Sequence, residues 1–277
     1  MNEETREEIR IATRFVYDLQ KLRIQHGNRN NPRAVLDATK RDWMIEAGED
    51  LKKLEQRGFR HLGRLLKRTE IWNTWLGKQR GVGPAMGGVI VASIDITKCR
   101  TVSALWRYCG LAVVDGRAER RVRGQKAAFD PWLKAKMTTV LSGCLIKANS
   151  PWKKFYDQYK HRKQNQLVDV CAACAGEGRV EAEACVACRK PRGYRAPSCD
   201  CGSREFKKTP SASCRNCGGS GGPAPWGRSD AHRHTAACRY MVKMFLAELW
   251  ARWRELEGLP TRSTYAEEYL GRKHHAA

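Results

Sequence analysis

Four close cysteine pairs stand in one stretch of the chain: Cys171-Ala-Ala-Cys174, Cys185-Val-Ala-Cys188, Cys199-Asp-Cys201 and Cys214-Arg-Asn-Cys217. A pair at this spacing can put two thiolates on one metal ion, and two pairs close a tetrahedral four-sulfur site. The eight ligands suit two structural zinc ions. Gly176 and Gly178 follow the first pair, and Gly219 and Gly221 follow the last. Glycine there lets the backbone fold tightly and turn its amides toward sulfur. A disulfide framework is the competing reading. Residues 1–20 are charged and lack the apolar core of a secretory signal, so the expectation is a cytoplasmic protein with reduced thiols. Cys99, Cys109, Cys144 and Cys238 stand among apolar residues and read as core thiols. His232 and His234 are not needed as ligands once eight cysteines fill two sites.

The outer pairs carry the full Cys-x-x-Cys-x-Gly-x-Gly repeat and resemble the cysteine-rich zinc domain of J-domain chaperones. The inner pairs depart from it: Cys185/Cys188 lacks the glycines, and Cys199/Cys201 is Cys-x-Cys. The resemblance implies one site of Cys171, Cys174, Cys214 and Cys217, and a second of Cys185, Cys188, Cys199 and Cys201. Spacing alone leaves sequential pairing open. No J domain is visible, so chaperone function does not carry over.

The elements that must position this segment are mainly helical. In residues 3–26, Ala12, Phe15, Val16, Leu19 and Leu22 recur at three and four. Gly27 to Asn31 reads as a break, and Asn31-Pro32 as a cap and first helical residue. Val35, Leu36, Trp43, Met44, Ala47, Leu51 and Leu54 continue a stripe to about Gln56. Phe59, Leu62, Leu65 and Leu66 form a further short helix. Thr101 caps a helix that ends at Gly110. Asp130-Pro131 and Ser150-Pro151 each open another, and a last long helix runs from about Asp230 to Glu257. Ala112 to Val114 and Glu119 to Val122 read as strands around the turn Asp115-Gly116.

The formal charge is +23, with 52 Lys and Arg against 29 Asp and Glu. An excess of this size points to a polyanion, most simply nucleic acid. A hydrophobic content of 42% is enough for a core. No apolar run approaches the roughly 20 residues of a membrane span, and no long basic amphipathic face invites a lipid surface. Two basic places stand out. Lys78 and Arg80 flank Gly81-Val82-Gly83-Pro84, the form of a helix-hairpin-helix, in which Val82 plugs the angle and Pro84 opens the second helix. Two glycines permitting positive φ, with free amides at a helix start, can hold a phosphate oxygen. The second place is the hairpin arm carrying Arg117, Arg120, Arg121, Arg123 and Lys126. Contacts of both kinds position nucleic acid without reading its sequence.

Gly81-Val-Gly-Pro84, then Thr101 to Leu111 with its Tyr108-Cys-Gly-Leu111, then the basic hairpin and paired helices, form an order that resembles a known domain. It is the C-terminal domain of the bridge-RNA-guided insertion-sequence transposases, which join a RuvC-like DEDD domain to a serine-bearing one. Ala231 to Leu246 resembles that domain's last helix. The resemblance implies a DNA-binding role in recombination, in a bacterium, a phage or another mobile element, with RNA as an alternative ligand. The departures are large. No strand bearing an Asp appears in residues 1–70, and Ala112 to Gly124, where the family's serine falls, holds none. The nearest serines, Ser103 and Ser142, lack a visible activating base.

The expectation is therefore a mainly α protein. Residues 1–70 form long helices able to pair two copies. Residues 71–166 and 228–257 form a helix-hairpin-helix domain with a small β-hairpin. Residues 167–227 form a two-zinc insertion open to a protein partner, and 258–277 a flexible tail. The chain is expected to bind duplex or branched DNA near the nucleoid, with no catalytic residues of its own. An active transposase or nuclease, alone or with a catalytic partner, is the alternative.

Overall fold

The computed structural model describes residues 1–29, 42–114, 117–188, 201–202 and 204–262. The fold is mainly helical with small two-stranded ladders. The chain divides into two compact units, residues 1–153 with 241–277, and residues 154–240.

In the first unit, α1 (Glu3–Arg29) and α2 (Asp42–Leu66) pack against each other. Their contacts pair Glu8 with Arg68, Val16 with Gly58 and His26 with Met44, so the helices run antiparallel. The expected break at Gly27 and division near Gln56 are both corrected. Helix α1 continues to Arg29, and α2 passes straight through Gly58. A Cβ on Gly58 would sit 3.0 Å from Val16 Cγ2, so this glycine serves close helix approach and not helix termination. The buried face of α1 is Ile9, Thr13, Val16 and Leu19, while Phe15 and Leu22 stay exposed. Trp43 and Leu54 of the second stripe are exposed as well. The expected cap Asn31-Pro32 lies outside the described residues, as do Val35 and Leu36.

Helix α3 (Glu70–Thr74) and a 3-10 turn (Leu76–Lys78) lead to α4 (Pro84–Ser93). Val89, Ile90 and Val91 of α4 are fully buried. Gly87 and Gly88 give α4 a bare surface: a Cβ on the first would overlap Trp72, and on the second Thr13. Helix α5 (Val102–Tyr108) starts with Thr101 accepting from the Ala104 amide at 3.1 Å and ends at Gly110, φ +68°. Asp130 caps α6 (Pro131–Ala135) through the Trp132 and Leu133 amides. A π-helical stretch (Lys136–Leu141) joins α6 to α7 (Ser142–Lys147). The carboxyl half of α9 (Asp230–Leu256) supplies Phe245, Trp250 and Trp253 to this core. Trp250 Nε1 donates to the Cys99 carbonyl at 2.7 Å, and Arg254 donates to the same carbonyl at 3.2 Å. Among the described residues no helix is long and apolar enough to cross a membrane.

The second unit holds α8 (Lys153–Asn165) from Lys154 on, the cysteine lobe and the amino half of α9. Two antiparallel ladders, neither foreseen, frame the lobe. Strand β3 (Leu167–Val168) pairs with β6 (Ala224–Pro225), and β4 (Arg179–Cys185) pairs with β5 (Phe206–Ser213). The remaining ladder belongs to the first unit: β1 (Val113–Val114) pairs with β2 (Arg117–Ala118).

Candidate functional site

Cys171, Cys174, Cys214 and Cys217 converge, their sulfurs all within 4.8 Å of one another. The first cysteine pair thus meets the last, with β4 and β5 running out between them. Cys171 Sγ lies 3.8 Å from Cys214 Sγ, and Cys174 Sγ 3.8 Å from Cys217 Sγ. Four thiolates about 2.3 Å from a tetrahedral ion have sulfur–sulfur edges of about 3.8 Å, whereas a disulfide needs about 2.05 Å. The arrangement fits a metal centre and no disulfide joins it. Cys171, Cys174 and Cys214 are buried beside Ala224.

The two halves of the centre repeat each other 43 residues apart. The Gly178 amide donates to Cys174 Sγ at 3.3 Å, and the Gly221 amide to Cys217 Sγ at 3.3 Å. The Cys171 amide donates to the Gly221 carbonyl at 2.8 Å, and the Cys214 amide to the Gly178 carbonyl at 2.9 Å. Each half therefore clasps the other through its last glycine. Gly176, Gly178, Gly219 and Gly221 all take positive φ. A Cβ at Gly178 would overlap the Gly219 carbonyl oxygen, and one at Gly221 that of Gly176. Only glycine satisfies both the dihedral and the space.

One side chain breaks the repeat. Where the first pair encloses Ala172-Ala173, the last encloses Arg215-Asn216. Asn216 Nδ2 reaches Cys171 Sγ at 3.5 Å and the Gly227 carbonyl at 3.1 Å. Arg233, from α9, donates to Asn216 Oδ1 at 3.1 Å and to the Trp226 carbonyl at 3.2 Å. The guanidinium fixes which end of the amide faces sulfur. Burial pushes the Cys171 thiol up, but Asn216 and the amides of Ala173 and Cys174 outweigh it and hold the thiol below its usual range. Burial also raises Cys217, and the Gly221 and Gly219 amides reverse that. Cys174 goes the other way: burial, reinforced by the sulfurs of Cys171 and Cys217, carries it above the ordinary thiol value. Asn216 and Arg233 were not anticipated from the sequence. The unequal filling of the two Cys-x-x-Cys loops was the available signal.

Cys185 ends β4 and Cys188 follows in a turn. Cys188 is half-buried and Cys201 exposed. Cys199 and the side chain of Cys185 lie outside the described residues, so the second expected quartet does too. His232 Nδ1 accepts from the Arg228 amide and His234 meets the Tyr156 hydroxyl at 2.8 Å; neither joins the sulfur cluster.

In the first unit, Val82 is buried and Pro84 occupies the first turn of α4, as the helix-hairpin-helix reading required. The reading of the two glycines holds for Gly81, which takes positive φ and lies close to another backbone, and is corrected for Gly83. Gly81 has φ +95°, but Gly83 has φ −91°, an extended conformation open to any residue. A Cβ on Gly81 would come within 2.9 Å of the Cys144 carbonyl oxygen, so this glycine is explained by packing on α7. Lys78 and Arg80 are exposed just before it.

The β-hairpin is present with a shorter arm than expected. Val114 pairs with Arg117 and Val113 with Ala118, and the turn Asp115-Gly116 lies outside the described residues. Only the backbone of Arg117 is described. Beyond Ala118 one more bond forms, from the Glu119 amide to the Ala112 carbonyl at 3.3 Å. Pairing then stops because Leu111 turns into the core after α5. Arg120, Arg121, Arg123 and Lys126 stand in irregular chain, all exposed and, among the described residues, none paired with a carboxylate. Of the two nearest serines, Ser142 is buried and donates to the Thr138 carbonyl at 2.7 Å, and Ser103 is exposed on α5. Comparison with protein-family models, curated proteins and solved structures finds no match to this chain.

Proposed function

We propose that this chain is a DNA-binding protein of recombination or mobile-element origin, carrying a zinc-held lobe inserted in a helix-hairpin-helix body. The observation that carries the reading is the exposed, uncompensated run Arg120, Arg121, Arg123 and Lys126 in a chain of net charge +23. Such a run neutralises phosphates and releases their counterions. Lys78 and Arg80, beside the hairpin at Val82, extend the same chemistry. The order of motifs from Gly81 to Leu111 and from Ala231 to Leu246 supports descent from a transposase domain.

Zinc is the ion this reading assigns to the four-cysteine centre, because tetrahedral all-thiolate sites suit it, and four protein ligands leave no open position for water or substrate, which makes the site structural. A second zinc would take Cys185, Cys188, Cys199 and Cys201. Binding without catalysis fits the side chains that are described. Ser142 is committed to a backbone carbonyl, Asp130 caps α6, and Asp95 is held by Arg6 and Lys98.

The test is fluorescence anisotropy of the full chain with labelled duplex and four-way-junction DNA over a salt series, with Mg2+ or Mn2+ in a parallel cleavage assay. Binding that weakens steeply with salt and yields no product supports the reading. Absence of binding near physiological salt would reject it.

A further inference from the structure

An open groove of about 880 Å³ runs beside α1, α2 and the start of α4. Its apolar lining includes Phe15, which is 50% exposed, Leu54, which is 40% exposed, and the half-buried Phe59. Its charged lining is entirely basic: Arg57, Arg60, Arg64 and Lys67, with His61 beside them and no carboxylate. These four cations recur at spacings of three, four and three, which places them along one side of α2 and its final turn. Ten residues at 1.5 Å rise span about 15 Å. All four are exposed, and among the described residues none is ion-paired. Pro84 also lines the groove, so the positive end of the α4 dipole borders it.

We infer that this groove binds single-stranded nucleic acid, with phosphates along the α2 cations and bases against Phe15 and Phe59. The inference deepens the nucleic-acid reading above and rests on it. Charge complementarity selects a polyanion, and the aromatic floor selects among polyanions. A duplex hides its base faces and would leave Phe15 and Phe59 facing water. An unpaired strand presents a π-face at every nucleotide, and stacking of this kind tolerates any sequence. Phosphate and base faces are common to DNA and RNA, so both single strands should bind comparably.

The experiment uses the full chain with labelled oligothymidylate, oligouridylate and a duplex of equal length. Replacing Phe15 and Phe59 together by Ala should weaken oligothymidylate binding by roughly tenfold or more. Replacing Arg60, Arg64 and Lys67 together by Ala should reduce the slope of log affinity against log salt by about 2. A variant lacking Arg120, Arg121 and Arg123 should keep most single-strand affinity. Near-wild-type oligothymidylate binding by both groove variants, with duplex binding still lost in the arginine variant, overturns the groove and leaves the DNA-binding reading standing. No nucleic-acid binding by the wild-type chain overturns both. A change only in oligomeric state, or groove occupancy by an acidic peptide and not by oligothymidylate, assigns the groove to protein and overturns the inference. Photocrosslinking of a 5-bromodeoxyuridine oligonucleotide to the wild-type chain covers the case of a misfolded variant. Adducts in residues 12–15 or 54–67 support the groove, and adducts confined elsewhere reject it.

Discussion

The side-chain amide of Asn216 faces Cys171 Sγ at 3.5 Å, its orientation set by Arg233, 3.1 Å from Asn216 Oδ1. Besides the four cysteines themselves, this is the one side-chain hydrogen-bond donor to a sulfur of the centre among the described residues. Partners of this kind orient ligands and tune their charge. Asn216→Ala should lower zinc affinity by about 10- to 100-fold, measured by competition with a chromophoric chelator. Arg233→Met should produce a smaller loss in the same direction. Unchanged affinity in both would reduce Asn216 to a link between loops.

Cys214→Ser should remove about one zinc per chain by elemental analysis of reduced protein. The lobe should lose its ordered ladders while most helical signal in circular dichroism persists, because the centre has little other core to hold it. Full retention of metal would mean that the four sulfurs are not its ligands.

Glycine substitutions separate dihedral strain from collision. Gly178→Ala meets both, since its φ is +72° and a Cβ would overlap the Gly219 carbonyl oxygen. Gly124→Ala meets only the first, with φ +80° and open space around it. The latter should cost about 1 kcal/mol, and the former should prevent normal metal loading. Equal behaviour of the two in thermal unfolding and metal content would contradict the interlocked geometry.

Replacing Arg120, Arg121 and Arg123 together by Ala should lower the salt slope for duplex DNA by about 3. The helical content should be unchanged, since all three side chains are exposed. An unaltered slope would remove this run from the DNA interface.

Asp95 gives a pH-dependent contribution to stability. Burial raises its carboxyl, but bonds from Thr97 and Lys98 and the charge of Arg6 prevail and bring it down to about 2. A carboxyl depressed on folding stabilises fully above its unfolded value near 4, and that stability fades as pH falls through 2. Solvent screening at this partly exposed site reduces the effect, so Asp95→Asn should lose about 1 kcal/mol at neutral pH, with the difference from wild type shrinking between pH 4 and 2 in urea titrations.

The helices were legible because their signals are local. Thr101 and Asp130 cap where their side chains promised, Pro84 opens α4, and the α9 stripe buries Phe245 and Trp253. The convergence of Cys171 and Cys174 with Cys214 and Cys217 was implied by the zinc-domain resemblance of the outer pairs, whereas their spacing alone left sequential pairing open. What the sequence obscured depends on distant partners. The stripe that reads as ending near Gln56 runs on to Leu66, because Gly58 lets the helix continue against Val16. The Gly81-Val82-Gly83 motif offers positive φ at both glycines, but only Gly81 takes it. The arm from Glu119 to Val122 had strand composition but no partner strand. Asn216 gained meaning only when folding set it against a cysteine 45 residues away.

The pairing of Leu167 with Pro225 and of Val168 with Ala224 places the two ends of the cysteine lobe side by side. Segment 169–223 thus leaves the rest of the chain and returns to it at nearly one point. A segment so closed could be gained or lost in a single genetic event, with a short turn replacing it and little change in the loop entropy its host must bear. Relatives of this protein without the lobe are thus sterically easy to build, and the lobe itself is a natural unit for transplantation onto another scaffold.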